Sequence, residues 1–310
     1  LVFGLPGSQT TPFYDALYSS RVRHILTRHE QAAAYMADAY AKFTGSVGVC
    51  DGTGGPGATN LLTGVATAWT DRSPVLALTG QQALAERDKG GFQQLDHVAL
   101  FRPVVKESIQ VVQASSAAAT VRRALVKAVT GRPGPVHVDL PVEVQRQQVE
   151  FEQTALESYL PSRPSRAAAS VAARAASLLV KAVNPVIIAG GGAHYAGGGA
   201  IQEVMALAEH LAAPIVTTFN GRGVVPEDHE LSGGRMGVHA RRYTDRLLES
   251  ADVILSVGCR FSSLSTRHWR AVRPGVNLIQ ADVDPEEIGR NCPVALGIVG
   301  DAAGILSDLL

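Results

Sequence analysis

His24-Ile25-Leu26-Thr27-Arg28-His29-Glu30-Gln31-Ala32 passes from a short β-like stretch directly into an alanine-rich helical run reaching Phe43. A carboxylate at the carboxyl end of a strand and in the first turn of a helix stands at the edge of an α/β sheet, where ligands collect. Glu30 is therefore a candidate for chemistry. Taken alone, it reads more simply as an acid complementing the helix macrodipole.

Strand-like apolar runs alternate with helical segments on both sides of this stretch, the pattern of parallel sheets with crossover helices. Val2-Phe3-Gly4 looks like a strand reaching its glycine turn. Further strands are expected at 47–50, 75–79, 104–112 and 136–140, with helices near 30–43, 56–69 and 115–129. Gln145-Arg146-Gln147-Gln148, Pro161 and Pro164 have linker composition. Beyond them the alternation resumes, with a helix at 166–183, strands at 186–189, 215–219, 253–257 and 278–281, and a closing helix after Asp301. The expected fold is α/β, two doubly wound domains with mainly parallel sheets: residues 1–145, a linker at 146–165, and residues 166–310.

The chain has 310 residues, enough for two cores, and a formal net charge of zero. Without a basic excess, neither nucleic acid nor an anionic membrane is an expected partner. Cys50, Cys259 and Cys292 are too few and too scattered for a disulfide framework or a metal cluster, which suits a reducing cytoplasm. No apolar run approaches a membrane span, and no metal site is expected in this chain.

Three groups of residues invite a chemical reading. Gly52 to Gly57, in Asp51-Gly52-Thr53-Gly54-Gly55-Pro56-Gly57-Ala58-Thr59-Asn60, would let backbone approach a ligand closely, or form an ordinary tight turn. Asn60, Thr59 and Gln81 suit orienting hydrogen bonds, or plain helix-start and loop bonds. Gly190-Gly191-Gly192 follows a strand as a phosphate-binding turn does, and with Gly197-Gly198-Gly199 it forms a local low-complexity patch. The next strand, however, ends in Thr217-Thr218-Phe219-Asn220 without the acid a dinucleotide site needs.

In order along the chain, Val2-Phe3-Gly4-Leu5-Pro6-Gly7, Glu30, the glycine turn at 52–57, Gly80-Gln81, Gly91-Phe92-Gln93, Arg102-Pro103-Val104-Val105-Lys106 and Gly131-Arg132-Pro133-Gly134-Pro135-Val136 resemble the pyrimidine-binding domain of thiamine-diphosphate enzymes, most closely the acetolactate synthase group. The resemblance implies thiamine diphosphate as cofactor, with Glu30 as the glutamate that bonds the aminopyrimidine ring nitrogen. It implies cofactor contacts from Gly4, Pro6, Gly7, Thr53, Gly54, Pro56, Gly57, Asn60 and Gln81. Phe92, Gln93 and Lys106 fall on the substrate side. His29 is read as positioning the site.

The second half resembles the central domain of the same family through Asn184 to Gly192, Ala213 to Thr218, Ala251 to Phe261, Asp282 to Gly289 and Val299 to Ala302. Flavin-containing relatives hold FAD here, which would involve Gly190, Gly191, Gly192 and Arg260. Ser262-Ser263 stand where those relatives carry two aspartates, so FAD is a doubtful ligand on this reading.

The family holds the diphosphate through Mg2+ in a further domain marked by Gly-Asp-Gly, a sequence this chain lacks. The resemblance therefore implies a fragment, inactive alone, of a homodimer or homotetramer that acts on pyruvate or another 2-ketoacid. The expected reaction joins the two-carbon unit left by pyruvate decarboxylation to a second 2-ketoacid. Other 2-ketoacid or acyl-CoA decarboxylases and acetyltransferases are alternatives, as is a non-catalytic interaction module of the same fold. Glu30 argues against glyoxylate carboligase, which lacks the glutamate.

Overall fold

The computed structural model describes residues 1–310 apart from 88, 151–155, 161–164 and 197. The prolines read as linker, Pro161 and Pro164, lie outside the described residues. The chain divides into two compact units, Leu1–Leu160 and Pro161–Leu310.

In the first unit the strands are β1 (Val2–Gly4), β2 (His24–Leu26), β3 (Gly48–Gly52), β4 (Val75–Gln81), β5 (Ser108–Gln110) and β6 (Val136–Pro141). All pairs are parallel, in the order β2-β1-β3-β4-β6-β5. Helices α1 (Thr11–Tyr18), α2 (Glu30–Thr44), α3 (Pro56–Asp71), α4 (His97–Phe101) and α5 (Ala117–Val129) provide the principal cover.

Alternation along the strands divides the core between two faces. Phe3, Cys50, Val75 and Ala77 meet Ala33, Ala34, Ala37, Leu61 and Val65 of α2 and α3. Leu76, Leu78, Val136 and Val138 meet Ala124 and Ala128 of α5. The small residues of α2 let it lie close against α3, since a Cβ on Gly64 would stand 2.5 Å from that of Ala34. Burying Leu61 fully in this seam stabilises the unit by roughly 1.5–3 kcal/mol.

The second unit contains β7 (Pro185–Ala189), β8 (Ile215–Thr217), β9 (Ser232–Arg235), β10 (Val253–Val257), β11 (Asn277–Asp282) and β12 (Leu296–Val299). Its sheet is also parallel, in the order β12-β11-β10-β7-β8-β9. The chain leaves β7 toward β8 and later returns to β7's other side as β10, the doubly wound arrangement. Ile187, Leu255 and Ile279 face one core, and Val186, Ile188, Ile254 and Leu278 face the other.

Several elements differ from the sequence expectation. The strand expected at 104–112 shrinks to Ser108–Gln110, because Pro103 lies in a 3-10 turn over Arg102–Val104. The helix expected from 166 spans Ala169–Val180, and the strand at 215–219 ends at Thr217. Gly198–Leu211, which begins within the low-complexity patch, is a helix whose Val204, Leu207 and Ala208 enter the core. The strand Ser232–Arg235 and the helix Arg242–Ser250 lack a strong apolar run and were not expected, nor was the strand Leu296–Val299, although it lies in the apolar run 294–299.

The glycines after β7 have a packing role. A Cβ on Gly190 would stand 2.1 Å from the Gly258 carbonyl oxygen, and one on Gly192 would stand 2.6 Å from Gly258 Cα. Backbone cannot yield as a flexible side chain can. Gly190→Ala is therefore expected to destabilise the chain by about 1–3 kcal/mol. Gly191→Ala, whose nearest neighbour is Asn220 Cβ at 3.1 Å, should cost less. Denaturant midpoints of the two variants test this, and equal losses would refute it.

Candidate active site

The strand order of the first unit changes direction at β1. The chain goes to β2 on one side and then crosses to β3 on the other, which opens a crevice at the carboxyl ends of β1 and β3. Gly4 ends β1 and Gly52 ends β3, while Glu30 starts α2 just after β2. The fold thus delivers three separate sequence signals to one edge.

Glu30 is 6% exposed, and its Oε2 accepts a 2.9 Å hydrogen bond from Asn60 Nδ2. Its Oε1 accepts no hydrogen bond among the described residues. That oxygen lies 3.3 Å from where a Cβ on Gly57 would stand. His29 caps the helix, its Nδ1 accepting from the Gln31 amide at 3.1 Å. One carboxylate oxygen is therefore fixed, and the other is available beside Gly57 on a glycine-rich floor.

That floor is formed by glycines at close approaches. A Cβ on Gly7 would overlap Thr53, and one on Gly4 would overlap Asp51. Gln9, 2% exposed, joins the two turns by accepting from Thr53 Oγ1. Gly55 has φ +59°, and a Cβ there would stand 2.5 Å from the Gln93 carbonyl oxygen. Phe92 and Gln93 consequently lie beside the glycine turn. Gln82 Nε2 donates to the Phe92 carbonyl at 2.6 Å, and Phe92 is 69% exposed. Pro6 and Pro56 are exposed at this edge.

Two of the residues singled out from the sequence have other engagements. Gln81 turns its amide inward, donating to the Leu95 carbonyl at 2.9 Å and approaching Asp139 Oδ2 at 3.3 Å. Lys106 is not brought to Glu30. Its Nζ donates to the Thr130 and Arg132 carbonyls at 2.7 and 2.8 Å, in the loop preceding β6, at the amino ends of the strands. Burial pushes this lysine down to about 8, and Lys127 and Arg132 push the same way.

Sequence reasoning missed Tyr14, His24 and Asp51. Tyr14 Oη donates to Asp51 Oδ1 at 2.8 Å and lies 3.2 Å from His24 Nε2. Asp51 Oδ2 is buried without a hydrogen bond. Burial raises the Asp51 carboxyl to about 7, opposed by the Tyr14 hydrogen bond and reinforced by the charge of Glu30. The available signal was an acid directly after the apolar strand run Val47-Gly48-Val49-Cys50, where an ionised group is costly. His97, His137 and Asp139 were also missed. His137 and Asp139 sit two apart on β6 and share a face, both buried.

The crevice thus presents one unbonded carboxylate oxygen beside glycine backbone, an acceptor that a nitrogen heterocycle's N–H could meet. Among the described residues, no group of three His, Cys, Asp or Glu side chains could hold a metal ion. No helix there is long and apolar enough to cross a membrane. All three cysteines are free and buried.

In the second unit, Gly190 and Gly192 pack on Gly258, as described. Ser262 caps the short helix Ser263–Thr266 by accepting from the Ser265 amide, and Ser263 Oγ lies 2.9 Å from His268 Nδ1. Both serines are engaged in local structure.

The fold and this crevice define a class of protein that comparison identifies. Residues 1–100 match the thiamine pyrophosphate enzyme N-terminal TPP binding domain, and residues 172–309 match the thiamine pyrophosphate enzyme central domain. The chain belongs to the thiamine pyrophosphate enzyme family. It is 44% identical to a protein of Methanocaldococcus jannaschii named "Probable acetolactate synthase large subunit", covering 100% of this chain and 53% of the relative. It is 40% identical to the acetolactate synthase large subunit of Corynebacterium glutamicum, covering 100% of this chain and 50% of that protein. A glyoxylate carboligase of Escherichia coli O157:H7 is 37% identical, covering 99% of this chain and 52% of that one. The chain spans about half the length of these relatives.

Proposed function

We propose that this chain supplies the pyrimidine side of the active site of a thiamine-diphosphate-dependent carboligase of the acetolactate synthase type. Residues 1–145 would be the pyrimidine-binding domain, 146–165 a linker, and 166–310 the central domain. The observation carrying this reading is Glu30 at the switch-point crevice, with Oε2 held by Asn60 and Oε1 available above Gly57.

When bound, thiamine diphosphate supplies the carbon nucleophile and the electron sink for decarboxylating a 2-ketoacid. The chain's own residues then have distinct tasks. Glu30 Oε1 would face the pyrimidine ring nitrogen and carry the proton between them, with Asn60 holding the other carboxylate oxygen in place. Gly4, Gly7, Gly54 and Gly57 let backbone reach the cofactor, while Pro6, Thr53 and Pro56 shape the turns; Gln81 supports the loop at Leu95. The exposed Phe92 ring and Gln93 are placed to cover the reacting ketoacid and keep water from it. Lys106 has no part in this arrangement within one chain.

Mg2+ would be held with the diphosphate by a domain outside this chain, so catalysis requires that domain, and the assembly would be a cytoplasmic homodimer or homotetramer. FAD is not part of the proposal: Gly190, Gly192, Ser262 and Ser263 have packing and local hydrogen-bonding roles, and Ser262-Ser263 follow Arg260-Phe261 where flavin-containing relatives carry two aspartates.

Product analysis with the full-length protein, thiamine diphosphate and Mg2+ tests the reading. Pyruvate should give acetolactate with little free acetaldehyde. Acetaldehyde as main product, or turnover of glyoxylate or an acyl-CoA in preference to pyruvate, would overturn the acetolactate assignment.

A further inference from the structure

Beneath the glycine turn lies a buried polar chain whose donors and acceptors can be assigned one by one. The Gly55 amide donates to His97 Nε2 at 2.9 Å. A backbone N–H can only donate, so Nε2 carries no hydrogen and His97 is neutral with its proton on Nδ1. That Nδ1–H faces Asp139 Oδ1 at 2.8 Å. Both side chains are buried, at 1% and 0% exposure. Gln81 Nε2 lies 3.1 Å from the same Nδ1 but has its acceptors in Leu95 and Asp139.

The order continues beyond Asp139. Thr79 Oγ1 donates to Asp139 Oδ1 at 2.6 Å and so must accept from His137 Nε2 at 2.7 Å. Ser108 Oγ then donates to His137 Nδ1 at 2.8 Å. Burial lowers His137 to about 3, in keeping with the neutral ring this order requires, and Phe101 stacks on it at 4.0 Å. Gln110 Nε2 donates to Asp139 Oδ2 at 2.7 Å. Every bond around Asp139 thus needs a carboxylate that only accepts.

We propose that His97 and Asp139 are positioning residues of the site: Asp139 fixes the His97 tautomer that accepts the Gly55 amide, and this bond sets the 54–57 turn and the adjoining Phe92–Gln93 loop against Glu30. Gly55 and Gln93 both adopt positive φ, and a Cβ on Gly55 would strike the Gln93 carbonyl. The turn and loop are therefore seated on each other, with His97, four residues beyond Gln93, tying them from below.

The role in catalysis rests on the proposed function, whereas the tautomer does not. Asp139→Asn is nearly isosteric but places an NH2 among donors. With its NH2 toward His97, that ring must accept on Nδ1 and carry its proton on Nε2, which then points at the Gly55 amide; with its oxygen kept toward His97, the NH2 instead confronts the Gln110 and Gln81 amides. In full-length protein with 15N-labelled histidine, His97 should be the Nδ1–H tautomer, and the Gly55 amide should be protected from hydrogen exchange. Asp139→Asn and His97→Ala should each lose about tenfold protection at Gly55, comparable to one buried hydrogen bond. They should also weaken thiamine-diphosphate binding or lower kcat by a similar factor. His97→Gln, whose Oε1 can accept the Gly55 amide, should recover most of both.

In the His97→Gln background, Asp139→Asn should have a smaller effect than in the wild type, because the acceptor no longer depends on a tautomer. An Nε2–H tautomer in the wild-type protein, or unchanged Gly55 protection in soluble, folded His97→Ala, would overturn the proposal. Inactivity of the wild type on every ketoacid, with the tautomer and protection as described, would refute the proposed function and leave the tautomer assignment standing.

Discussion

Glu30→Gln is expected to slow turnover of the full-length protein by about 10²–10⁴-fold while leaving its fold intact. The amide has the carboxylate's size, and its oxygen can still accept the Asn60 bond that now holds Oε2 at 2.9 Å. What is lost is a group able to hold and release a proton at the free oxygen above Gly57. Exchange of the cofactor's reactive proton should fall with turnover, and the unfolding midpoint should stay close to wild type. Wild-type turnover in this variant would refute the assignment of Glu30. A collapsed fold would mean that the carboxylate's charge, not its proton chemistry, is what the site requires.

The place of Glu30 at the sheet edge was legible in the sequence because its cues are local: a short strand running directly into an alanine-rich helix. The glycine turn at 52–57 was legible for the same reason. The second sheet was partly legible. Runs such as Val253–Val257 and Val186–Ala189 are buried on both faces and read as continuous apolar stretches. Ser232–Arg235 is an edge strand with two glycines and offers no such run.

The supporting polar chain was illegible for a different reason. His97 and Asp139 are 42 residues apart, and Gly55 and His97 another 42, so only the order of strands brings them together. Lys106 shows the converse. The family resemblance groups it with Phe92 and Gln93 on the substrate side, but within one chain the two ends of the parallel strands hold them apart. Residues before β5 go to the amino edge while the turn after β3 goes to the carboxyl edge.

Asp51→Asn is expected to stabilise the chain at pH 8 and to do so progressively less as the pH falls. In the folded chain, burial foremost raises the Asp51 carboxyl from 3.8 to about 7, with the Glu30 charge adding and the Tyr14 bond opposing. The folded state therefore holds a proton that the unfolded state releases between roughly pH 4 and 7. Stability associated with a raised carboxyl is fully present below the unfolded value and is lost as pH rises through the folded one. A rise of that size corresponds to an upper bound on the order of 4 kcal/mol. Relaxation around Asp51 reduces this to about 2–3 kcal/mol in expectation.

The asparagine variant never ionises, and its oxygen can keep the Tyr14 bond. Its advantage over wild type should be small at pH 4, grow through pH 5, 6 and 7, and level off by pH 8. Denaturant unfolding of both proteins across that range tests this. A constant difference, or one that grows toward acid, would show that Asp51 remains ionised in the fold. Its buried, unbonded Oδ2 would then need a cation or a donor from outside this chain.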